Sequence, residues 1–532
     1  MSKYKVMLRD SMAPIAKEIL EATGEIEVVI DNDKATNKPE ALAEIIGEYD
    51  GLGIRSGTKV NSKVLEKAPN LKVIGRAGIG VDNIDRSAAT KKGVVVMNAP
   101  GGNTVTTAEH AISLMLSLAR HIPQATASLR QGKWEKKKFL GVEITGKTLG
   151  ILGLGQIGRI VAGRAQGLKM NVLAHDPFVA LDAARSLGIE VSSLEDVIAR
   201  SDFLTLHVPR LKETENMVNR DFISKLKPGA RIINCSRGNV IDLDALYEGL
   251  ESGQVGGAAL DVFPKEPPGA DLPILSHPKV VLTPHLGAST GEAQSKVAEM
   301  IARQMADYLM EGVINNAVNF PSVSGDVLED LEPYMDLAER MGSMLGQLIR
   351  RLHNITITYS GELANMETKP LTHAVLKGML GSYTDTPVNH VNAPALAKEK
   401  GMKIQETISR DAKDYTSLIR INLEGHGEEL NDIWGTLFGK KYPRVVRLGR
   451  IYMDAIPEGP VLIIQNYDRP GVIGNIGKTL AAKGYNIGRF QLGRREGRAL
   501  CMINLDSTLD PDTMKELESL PDIIYVNQVE LD

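Results

Sequence analysis

Residues 146–177 constrain the fold more than any other part of this chain. An apolar run at 149–152 has the length of a buried strand, and it leads into Gly153-Leu154-Gly155-Gln156-Ile157-Gly158. Apolar residues three and four apart then predict a helix, and a second apolar run at 170–174 predicts a strand that ends close to Asp176. The order of strand, glycine turn, helix, strand and acid is typical of a unit that binds a dinucleotide.

Each part of this unit has its own physical task. Gly153 permits a tight turn, Gly155 lets backbone N–H groups approach a pyrophosphate, and Gly158 lets the helix pack closely on the strand. The N-terminus of the helix carries partial positive charge and unpaired donors, which suits an anion. Asp176 lies 18 residues after Gly158, where its carboxylate can bind the ribose of NAD and would repel the 2′-phosphate of NADP. Two neighbouring cations oppose that preference: Arg159 and His175.

The composition is that of a soluble protein with several domains. At 532 residues we expect three or four domains, and 43% hydrophobic residues suffice to fill their cores. A net charge of −4 argues against general nucleic-acid binding, and no apolar run reaches the ~20 residues that span a membrane. The first residues lack the apolar core of a signal peptide, and two cysteines, Cys235 and Cys501, fit a reducing compartment. We therefore expect a cytoplasmic protein.

Residues 1–99 alternate short strands and helices, which predicts a parallel α/β sheet. Two arginines, Arg55 and Arg76, directly follow apolar strands beside glycine-rich turns. Because ligands collect at the carboxyl ends of strands in open α/β sheets, we expect both arginines to bind an anion. The alternative is that both are solvated loop residues.

A long helix is predicted from Thr104 to Arg120, with Thr104 or Asn103 as its N-cap. Residues 108–119 are apolar on nearly all faces, so we expect this helix to be buried, and we favour a subunit interface over a contact between domains. Two histidines near it are expected to be structural rather than catalytic: His110 and His121. The basic stretch 134–138 is either a solvated loop or a source of charge for an acidic substrate.

Three residues that follow later strands suit hydride chemistry on an alcohol: Arg237, Glu266 and His285. A histidine can take the hydroxyl proton as hydride leaves, and a carboxylate beside it favours the imidazolium. An arginine can bind a carboxylate through two parallel hydrogen bonds. Taken singly, each residue has a simpler explanation, as a helix cap, a loop charge or a surface cation. Together, at strand ends beside a dinucleotide site, they predict a dehydrogenase.

Residues 1–315 resemble the D-2-hydroxyacid dehydrogenase family and, within it, the D-3-phosphoglycerate dehydrogenases. The motifs that carry the resemblance are the glycine motif, Cys235-Ser236-Arg237-Gly238, Asp261-Val262-Phe263 with Glu266-Pro267, and Pro284-His285-Leu286-Gly287-Ala288-Ser289-Thr290. The resemblance implies that His285 is the acid/base, that Glu266 tunes it, and that Arg237 holds the substrate carboxylate.

The same resemblance implies further contacts. Those to NAD are Gly153, Gly155, Gln156, Ile157, Gly158, Asp176, His207, Val208, Cys235, Ser236, Asp261, His285, Gly287 and Ala288. Those to substrate are Arg55, Ser56, Arg76, Gly78, Asn103, Arg237 and His285. Gly57 stands where some relatives carry a second phosphate-binding arginine, and Lys137 or a neighbour is expected to reach the site of a partner subunit.

The alternation of predicted strands and helices ends near residue 316. Residues 318–453, with a long helix predicted at 331–352, resemble the intervening domain of the long form of the enzyme. Four histidines there lack metal-ligand spacing, so we expect them to be structural and expect no metal site: His353, His373, His390 and His426.

Residues 460–532 follow the order βαββαβ, which is ferredoxin-like, and they resemble an ACT domain. The resemblance implies that an amino acid, L-serine, binds across a dimer interface to Asn466, Asp468 and Asn486. The alternative is that Asp468 only caps the following helix and that the domain merely dimerises.

The predicted fold is therefore α/β, with a flavodoxin-like substrate domain (1–99 and 288–315) and a Rossmann NAD domain (100–287). An intervening α+β domain (318–453) and the ACT domain (460–532) follow. The resemblance implies a homotetramer that oxidises 3-phospho-D-glycerate to 3-phosphooxypyruvate with NAD, the first committed step of L-serine biosynthesis. Three alternatives are a glyoxylate or hydroxypyruvate reductase, an NAD(H)-sensing scaffold without catalysis, and a serine-binding regulator with vestigial chemistry.

Overall fold

The computed structural model describes residues 3–321, 325–349, 353–384, 387–424 and 430–531. Within these ranges the chain forms four β-sheets that follow one another along the sequence. None of the helices described is long and apolar enough to cross a membrane. One histidine of the sequence prediction, His426, lies outside the described residues.

The first sheet is parallel and has the strand order β2-β1-β3-β4-β5. This is the flavodoxin-like order, so the prediction for this part of the chain is confirmed. Its strands are β1 (Tyr4–Leu8), β2 (Ile26–Ile30), β3 (Gly51–Ile54), β4 (Val73–Arg76) and β5 (Val95–Asn98). Its helices are α1 (Ile15–Glu21), α2 (Pro39–Ile45), α3 (Ser62–Glu66) and α4 (Arg86–Lys91). Ile54 and Arg76 are register partners, so Arg55 and Arg76 leave the sheet at the same edge.

Two helices lead to the second sheet: α5 (Thr104–Arg120) and α6 (Ile122–Arg130). Helix α5 buries residues such as Leu114 and Leu118, but it is not buried on nearly all faces. Val105 is 47% exposed, and Glu109 and Ser113 also face outward. This strip is exposed in the single chain, so the subunit interface expected for α5 stays a prediction.

The second sheet is also parallel, with the order β12-β11-β10-β9-β6-β7-β8, which confirms the Rossmann prediction. Its strands are β6 (Thr148–Leu152), β7 (Asn171–His175), β8 (Glu190–Val191), β9 (Phe203–Leu206), β10 (Ala230–Asn234), β11 (Val255–Leu260) and β12 (Val280–Leu282). Its helices are α7 (Gln156–Gly167), α8 (Leu181–Ser186), α9 (Leu194–Arg200), α10 (Arg220–Ser224) and α11 (Leu243–Ser252). The order reverses between β6 and β9, and a ligand crevice forms at such a switch point.

Helix α12 (Gly291–Glu311) returns the chain to the first sheet. Ile301 and Met305 join the apolar core of that sheet together with Val73 of β4. The first two sheets are therefore linked twice, through α5 and through α12. The boundaries predicted at residues 99 and 287 stay predictions.

The third sheet is mixed, with the order β14-β13-β15-β16-β17-β18. Its elements are α13 (Gly325–Leu348), β13 (Asn354–Gly361), α14 (Lys369–Gly381), α15 (Ala393–Glu399), β14 (Lys403–Ser409), β15 (Ser417–Glu424), β16 (Asp432–Phe438), β17 (Tyr442–Leu448) and β18 (Ile451–Ala455). The predicted start of α13 at residue 331 is six residues too late, because Pro333 inside the helix imitates a helix start. Strand β14 escapes a sequence-based prediction because it is exposed on both faces and shows no alternation.

The fourth sheet is antiparallel, with the order β20-β21-β19-β22. Its elements are β19 (Gly459–Tyr467), α16 (Val472–Ala482), β20 (Ile487–Arg495), β21 (Arg498–Leu505), α17 (Pro511–Glu518) and β22 (Ile523–Leu531). The predicted βαββαβ order is confirmed.

Candidate active site

His285 and Glu266 form a close pair at the carboxyl edge of the second sheet. His285 Nδ1 lies 2.7 Å from Glu266 Oε2, and Glu266 Oε1 accepts a hydrogen bond from the backbone N–H of Phe263. Burial works to raise the pKa of Glu266, but the hydrogen bonds from His285 and Phe263 outweigh it and lower the pKa. Because the carboxylate occupies Nδ1, Nε2 is the ring nitrogen that can exchange a proton with a substrate. His285 is 44% exposed, which leaves it accessible.

The backbone of His285 is held in an unusual conformation. Its φ of 56° lies in the left-handed region, which is unfavourable for a residue with a Cβ. Asp261, only 1% exposed, holds it there: its backbone carbonyl accepts from His285 N, and its carboxylate accepts from Leu286 N and Gly287 N at 2.7 and 2.9 Å. Burial raises the pKa of Asp261, but hydrogen bonds from His110, Thr283 and Leu286 lower it overall. The NAD contact expected of Asp261 stays a prediction.

Arg237 follows β10 and reaches across to the first sheet. Its Nε donates to Asp82 Oδ2 at 2.9 Å, and its Nη1 donates to the backbone carbonyl of Ser236 at 2.8 Å. Asp82 lies in the turn after β4, so this ion pair bridges the two sheets. Sequence reasoning missed Asp82, although its place in a glycine-rich turn beside Arg76 was a usable signal.

Arg76 lies beside Arg237 and is largely buried. Its Nε has no hydrogen-bond partner, and its guanidinium occupies the space that a Cβ at Gly78 would take, 1.7 Å from Nη1. Burial, followed by the positive charges of Arg237 and Arg55, lowers the pKa of Arg76 to about 10, although Asp82 works to raise it. Three guanidinium groups so close together favour a bound anion.

Arg55 lies in a loop built around Asp10. The Asp10 carboxylate accepts from Arg55 N at 2.8 Å and from Thr58 N at 3.1 Å. A Cβ at Gly57 would come within 2.7 Å of the same carboxylate. A larger side chain at 57 would therefore have to displace Asp10. Ser56 is exposed on this loop.

The glycine turn fits a dinucleotide. A Cβ at Gly153 would lie 2.6 Å from the carbonyl oxygen of His207, and one at Gly158 would lie 2.2 Å from the carbonyl oxygen of Gly153. At Gly155, the N-cap of α7, no atom of the described chain lies within 4 Å of the Cβ position, which leaves room for a pyrophosphate. Asp176 Oδ2 accepts from Leu154 N at 2.8 Å, so the acid is tied to the turn.

The other expected cofactor residues follow strands at the same edge. His207 lies 3.0 Å from Thr205 Oγ1, and burial lowers its pKa to about 4, which keeps it neutral. Burial, assisted by the charge of Asp261, raises the pKa of the Cys235 thiol. The Ser236 hydroxyl donates to Asn234 Oδ1 at 2.8 Å. Of the remaining four, Gln156 and Ile157 are the first two residues of α7, whereas Val208 and Ala288 lie in loops that follow β9 and β12.

Asn103 is the N-cap position of α5, and Thr104 is its first residue, so the expectation that Thr104 caps the helix is wrong. Thr104 Oγ1 instead donates to the carbonyl of Gly101. The Asn103 side chain makes no cap bond, and its Oδ1 is buried without a partner. A buried, unpaired acceptor is costly, which fits a residue that binds a ligand donor.

The expected effector residues do not meet within one chain. Asn466 is buried and donates to the carbonyl of Tyr467, and Asp468 lies 3.5 Å from Arg494. Asn486 contacts Asp506 at the opposite end of the sheet. The alternative that Asp468 caps α16 is wrong, because the N-cap is Gly471 and no side chain bonds there.

The histidines of the third sheet region make structural contacts. His373 Nδ1 lies 2.8 Å from the backbone carbonyl of His390, and His353 is exposed. Within the described ranges, no three His, Cys, Asp or Glu side chains are grouped so that they could hold a metal ion.

Three family models match successive parts of the chain. The NAD-binding domain of D-isomer specific 2-hydroxyacid dehydrogenases matches residues 112–287. The D-3-phosphoglycerate dehydrogenase intervening domain matches residues 330–449, and the ACT domain matches residues 460–522. The NAD, intervening-domain and ACT assignments made from the sequence are thereby confirmed.

Similar proteins cover nearly the whole chain. A D-3-phosphoglycerate dehydrogenase of Archaeoglobus fulgidus is 40% identical over 99% of this chain and 100% of its own length. One of Methanocaldococcus jannaschii is 41% identical over the same shares. Among solved structures, the TT0316 protein from Thermus thermophilus has a TM-score of 0.54 and 31% identity, over 59% of this chain and 99% of its own. The three matched domains and the full-length similarity show that this chain belongs to the D-3-phosphoglycerate dehydrogenase family.

Proposed function

We propose that this protein oxidises 3-phospho-D-glycerate to 3-phosphooxypyruvate with NAD, as the first committed step of L-serine biosynthesis. The observation that carries the proposal is that the His285–Glu266 pair follows strands at the same sheet edge as Arg237, which interacts with Arg76 of the first sheet. A proton acceptor and several guanidinium groups are what the oxidation of a phosphorylated hydroxyacid requires.

Each residue of the site has a separate role in the proposed reaction. Nε2 of His285 accepts the proton of the C2 hydroxyl, and Glu266 stabilises the imidazolium and holds the ring through Nδ1. Arg237 binds the substrate carboxylate, while Arg55 and Arg76 bind the phosphate. The glycine turn and Asp176 would hold NAD, which would supply the acceptor for the C2 hydride, so that the products would be the 2-oxo acid, NADH and one proton.

The glycine turn and Asp176 would hold the cofactor. The open space beside Gly155, at the positive N-terminus of α7, suits the pyrophosphate. Asp176 suits the adenosine ribose of NAD.

A homotetramer is the proposed assembly. Four large apolar side chains of α6 and the loop after it are exposed, and a second copy would cover them: Ile122, Leu129, Trp134 and Leu140. Exposed patches of this kind mark interaction surfaces. Lys137, exposed between Trp134 and Leu140, would then lie close to the partner.

The ACT domain is proposed to bind L-serine between two copies. Asn466 and Asp468 of one copy would meet Asn486 of another, because the sheet separates these residues within a chain. We also propose a cytoplasmic location, which suits two buried free thiols, Cys235 and Cys501.

One assay tests the proposal. NADH formation is followed by absorbance with 3-phosphoglycerate, in the presence and absence of L-serine, and reduction is followed with glyoxylate and hydroxypyruvate. Faster turnover of the unphosphorylated acids would reassign the protein as a reductase. No turnover with any 2-hydroxyacid would favour an NAD(H)-sensing scaffold.

A further inference from the structure

Three side chains on one face of α5 contact the loop that carries His285. We call this loop, residues 283–290, the catalytic loop. Thr107 Oγ1 donates to the carbonyl of Gly287 at 3.0 Å, and His110 Nε2 lies 3.1 Å from Thr283 Oγ1. Thr106 lies 3.5 Å from Thr290 through their hydroxyl oxygens. The catalytic loop is therefore attached to α5 along its length.

His110 also contacts the buried carboxylate of Asp261. Its Nε2 lies 3.2 Å from Oδ1 of Asp261, the carboxylate that holds the Leu286 and Gly287 amides. Contact with a carboxylate requires that Nε2 carries the hydrogen. The two amides and the Thr283 hydroxyl, which donates to Asp261 Oδ1 at 2.6 Å, belong to the catalytic loop, whereas His110 comes from a separate helix. Its side chain is only 17% exposed, so water competes weakly for this bond.

We propose that His110 is a positioning residue, whose hydrogen bond to Asp261 fixes the catalytic loop so that His285 is aimed at the substrate. The inference rests on the proposed function for the role of His285. It also revises the expectation that His110 is merely structural.

The backbone of His285 is held in the left-handed region, with a φ of 56°. That conformation persists only where surrounding bonds enforce it. Without the His110 donor, the Asp261 carboxylate is hydrogen-bonded only by groups of the catalytic loop, so the carboxylate and the loop can shift together. His285 then samples other conformations, and a small misplacement of a reacting group is costly in rate.

A purely structural role for His110 predicts a different pattern, because packing depends on size and not on a donor at Nε2. His110→Leu keeps much of the side-chain volume but removes the donor. His110→Gln keeps a donor with similar reach. Ser113→Ala, one turn further along α5, is the control, since Ser113 is exposed and bonds only within the helix through Glu109 O.

The first measurement is steady-state kinetics of the full-length enzyme with 3-phosphoglycerate and NAD. We expect His110→Leu to lower kcat about 10- to 100-fold, with both KM values changed less than about threefold. His110→Gln should recover kcat to within about threefold of wild type, and Ser113→Ala should match wild type. Equal impairment of the Leu and Gln variants, or a loss confined to KM for NAD, would overturn the proposal.

The second measurement needs no substrate. Hydrogen exchange, followed by mass spectrometry of the peptide covering 283–290, reports the Leu286 and Gly287 amides. Exchange there should speed up in His110→Leu and return towards wild type in His110→Gln, while peptides of the fourth sheet stay unchanged. Unchanged exchange in His110→Leu would contradict the proposal. If His110→Leu does not fold, His110→Asn, whose amide is too short to reach Asp261, takes its place.

These two measurements separate the inference from the proposed function. If wild type forms no NADH from 3-phosphoglycerate, the proposed substrate is wrong, and the exchange experiment still decides whether His110 holds the catalytic loop.

Discussion

Arg237 Nε lies 2.9 Å from Asp82 Oδ2, and this single bond joins the carboxyl edges of the two parallel sheets. Asp82 brings a negative charge beside Arg237 and Arg76, where it would repel a substrate anion. We infer that Asp82 orients the Arg237 guanidinium and links the two sheets. A partly exposed ion pair contributes little to stability, so its effect should appear in substrate binding.

Replacing Asp82 by Asn should therefore weaken the substrate contact. We expect KM for 3-phosphoglycerate to rise about 10-fold with kcat changed less, because Arg237 loses the partner that orients it. Steady-state kinetics measure both constants. Asp85→Asn is the matched control, since Asp85 lies in the same turn but only caps α4. An unchanged KM in Asp82→Asn would show that Arg237 needs no such partner.

We expect substitutions of His285 and of Glu266 to lower kcat to different extents. His285→Ala should lower kcat by about 10²–10⁴, the usual scale for general acid–base catalysis. Glu266→Gln should lose less, because an amide can still contact Nδ1 but does not stabilise the imidazolium. NADH binding, followed by fluorescence, should stay near wild type in Glu266→Gln, because Glu266 is not among the expected NAD contacts. An unaffected kcat in His285→Ala would remove His285 from the mechanism.

The glycine turn can be tested without damage to the fold. Gly155→Ala should fold with a wild-type melting temperature, because the added Cβ meets no described atom, but it should bind NADH at least about 10-fold more weakly. Gly163→Ala in the same helix α7 is the control, with equal space around its Cβ position and no expected effect on NADH. Equal NADH affinity in the two variants would argue against a pyrophosphate at this turn.

His390 predicts a loss of stability in acid. Burial, followed by the charges of Lys377 and His373, lowers its pKa to about 4, and its Nδ1 is buried without a partner. The unfolded chain takes up a proton near its ordinary pKa of about 6.5, and the folded chain does so only near pH 4. The stabilisation is therefore complete above about pH 6.5 and is lost as the pH falls towards 4.

Urea unfolding at about pH 7 and about pH 4.5 measures this loss. We expect His390→Gln to lose roughly 1–3 kcal/mol less free energy of unfolding than wild type over this interval. The exposed His353 supplies the control variant, His353→Gln. An identical pH dependence in wild type and His390→Gln would mean that His390 titrates alike in both states.

The exposed apolar patch on α6 and the loop after it predicts a smaller assembly in a double variant. Trp134 and Leu140 are 83% and 85% exposed, and replacing both by Ser should weaken association between copies. Light scattering should then report a lower molar mass than for wild type. Phe178→Ser is the control, because Phe178 is similarly exposed but lies beyond β7, away from this patch. A wild-type mass would place the interface elsewhere.

Much of the fold follows from local patterns. The glycine turn, its flanking strands and Asp176 lie within residues 146–177, and their spacing alone indicates the Rossmann-type unit that the second sheet then contains. The ferredoxin-like order of the last domain is similarly evident from apolar runs of regular length. Strand β14 could not be predicted from local patterns, because its residues are exposed and lack alternation. It lies at the edge of its sheet, where β13 is its only ladder partner among the described strands.

The functional residue types are equally local, since Arg237, Glu266 and His285 each stand in a motif of neighbouring residues. The contacts that hold this site together join residues that are far apart in the sequence. Asp82 is 155 residues from Arg237, and His110 is 151 residues from Asp261. The sequence by itself therefore determined most of the elements, the cofactor unit and the reacting groups, because these depend on short-range periodicity and turn chemistry. Only the tertiary structure decided which acid holds Arg237 and which helix holds the catalytic loop, because such contacts form only when distant strands are brought to one edge of packed sheets.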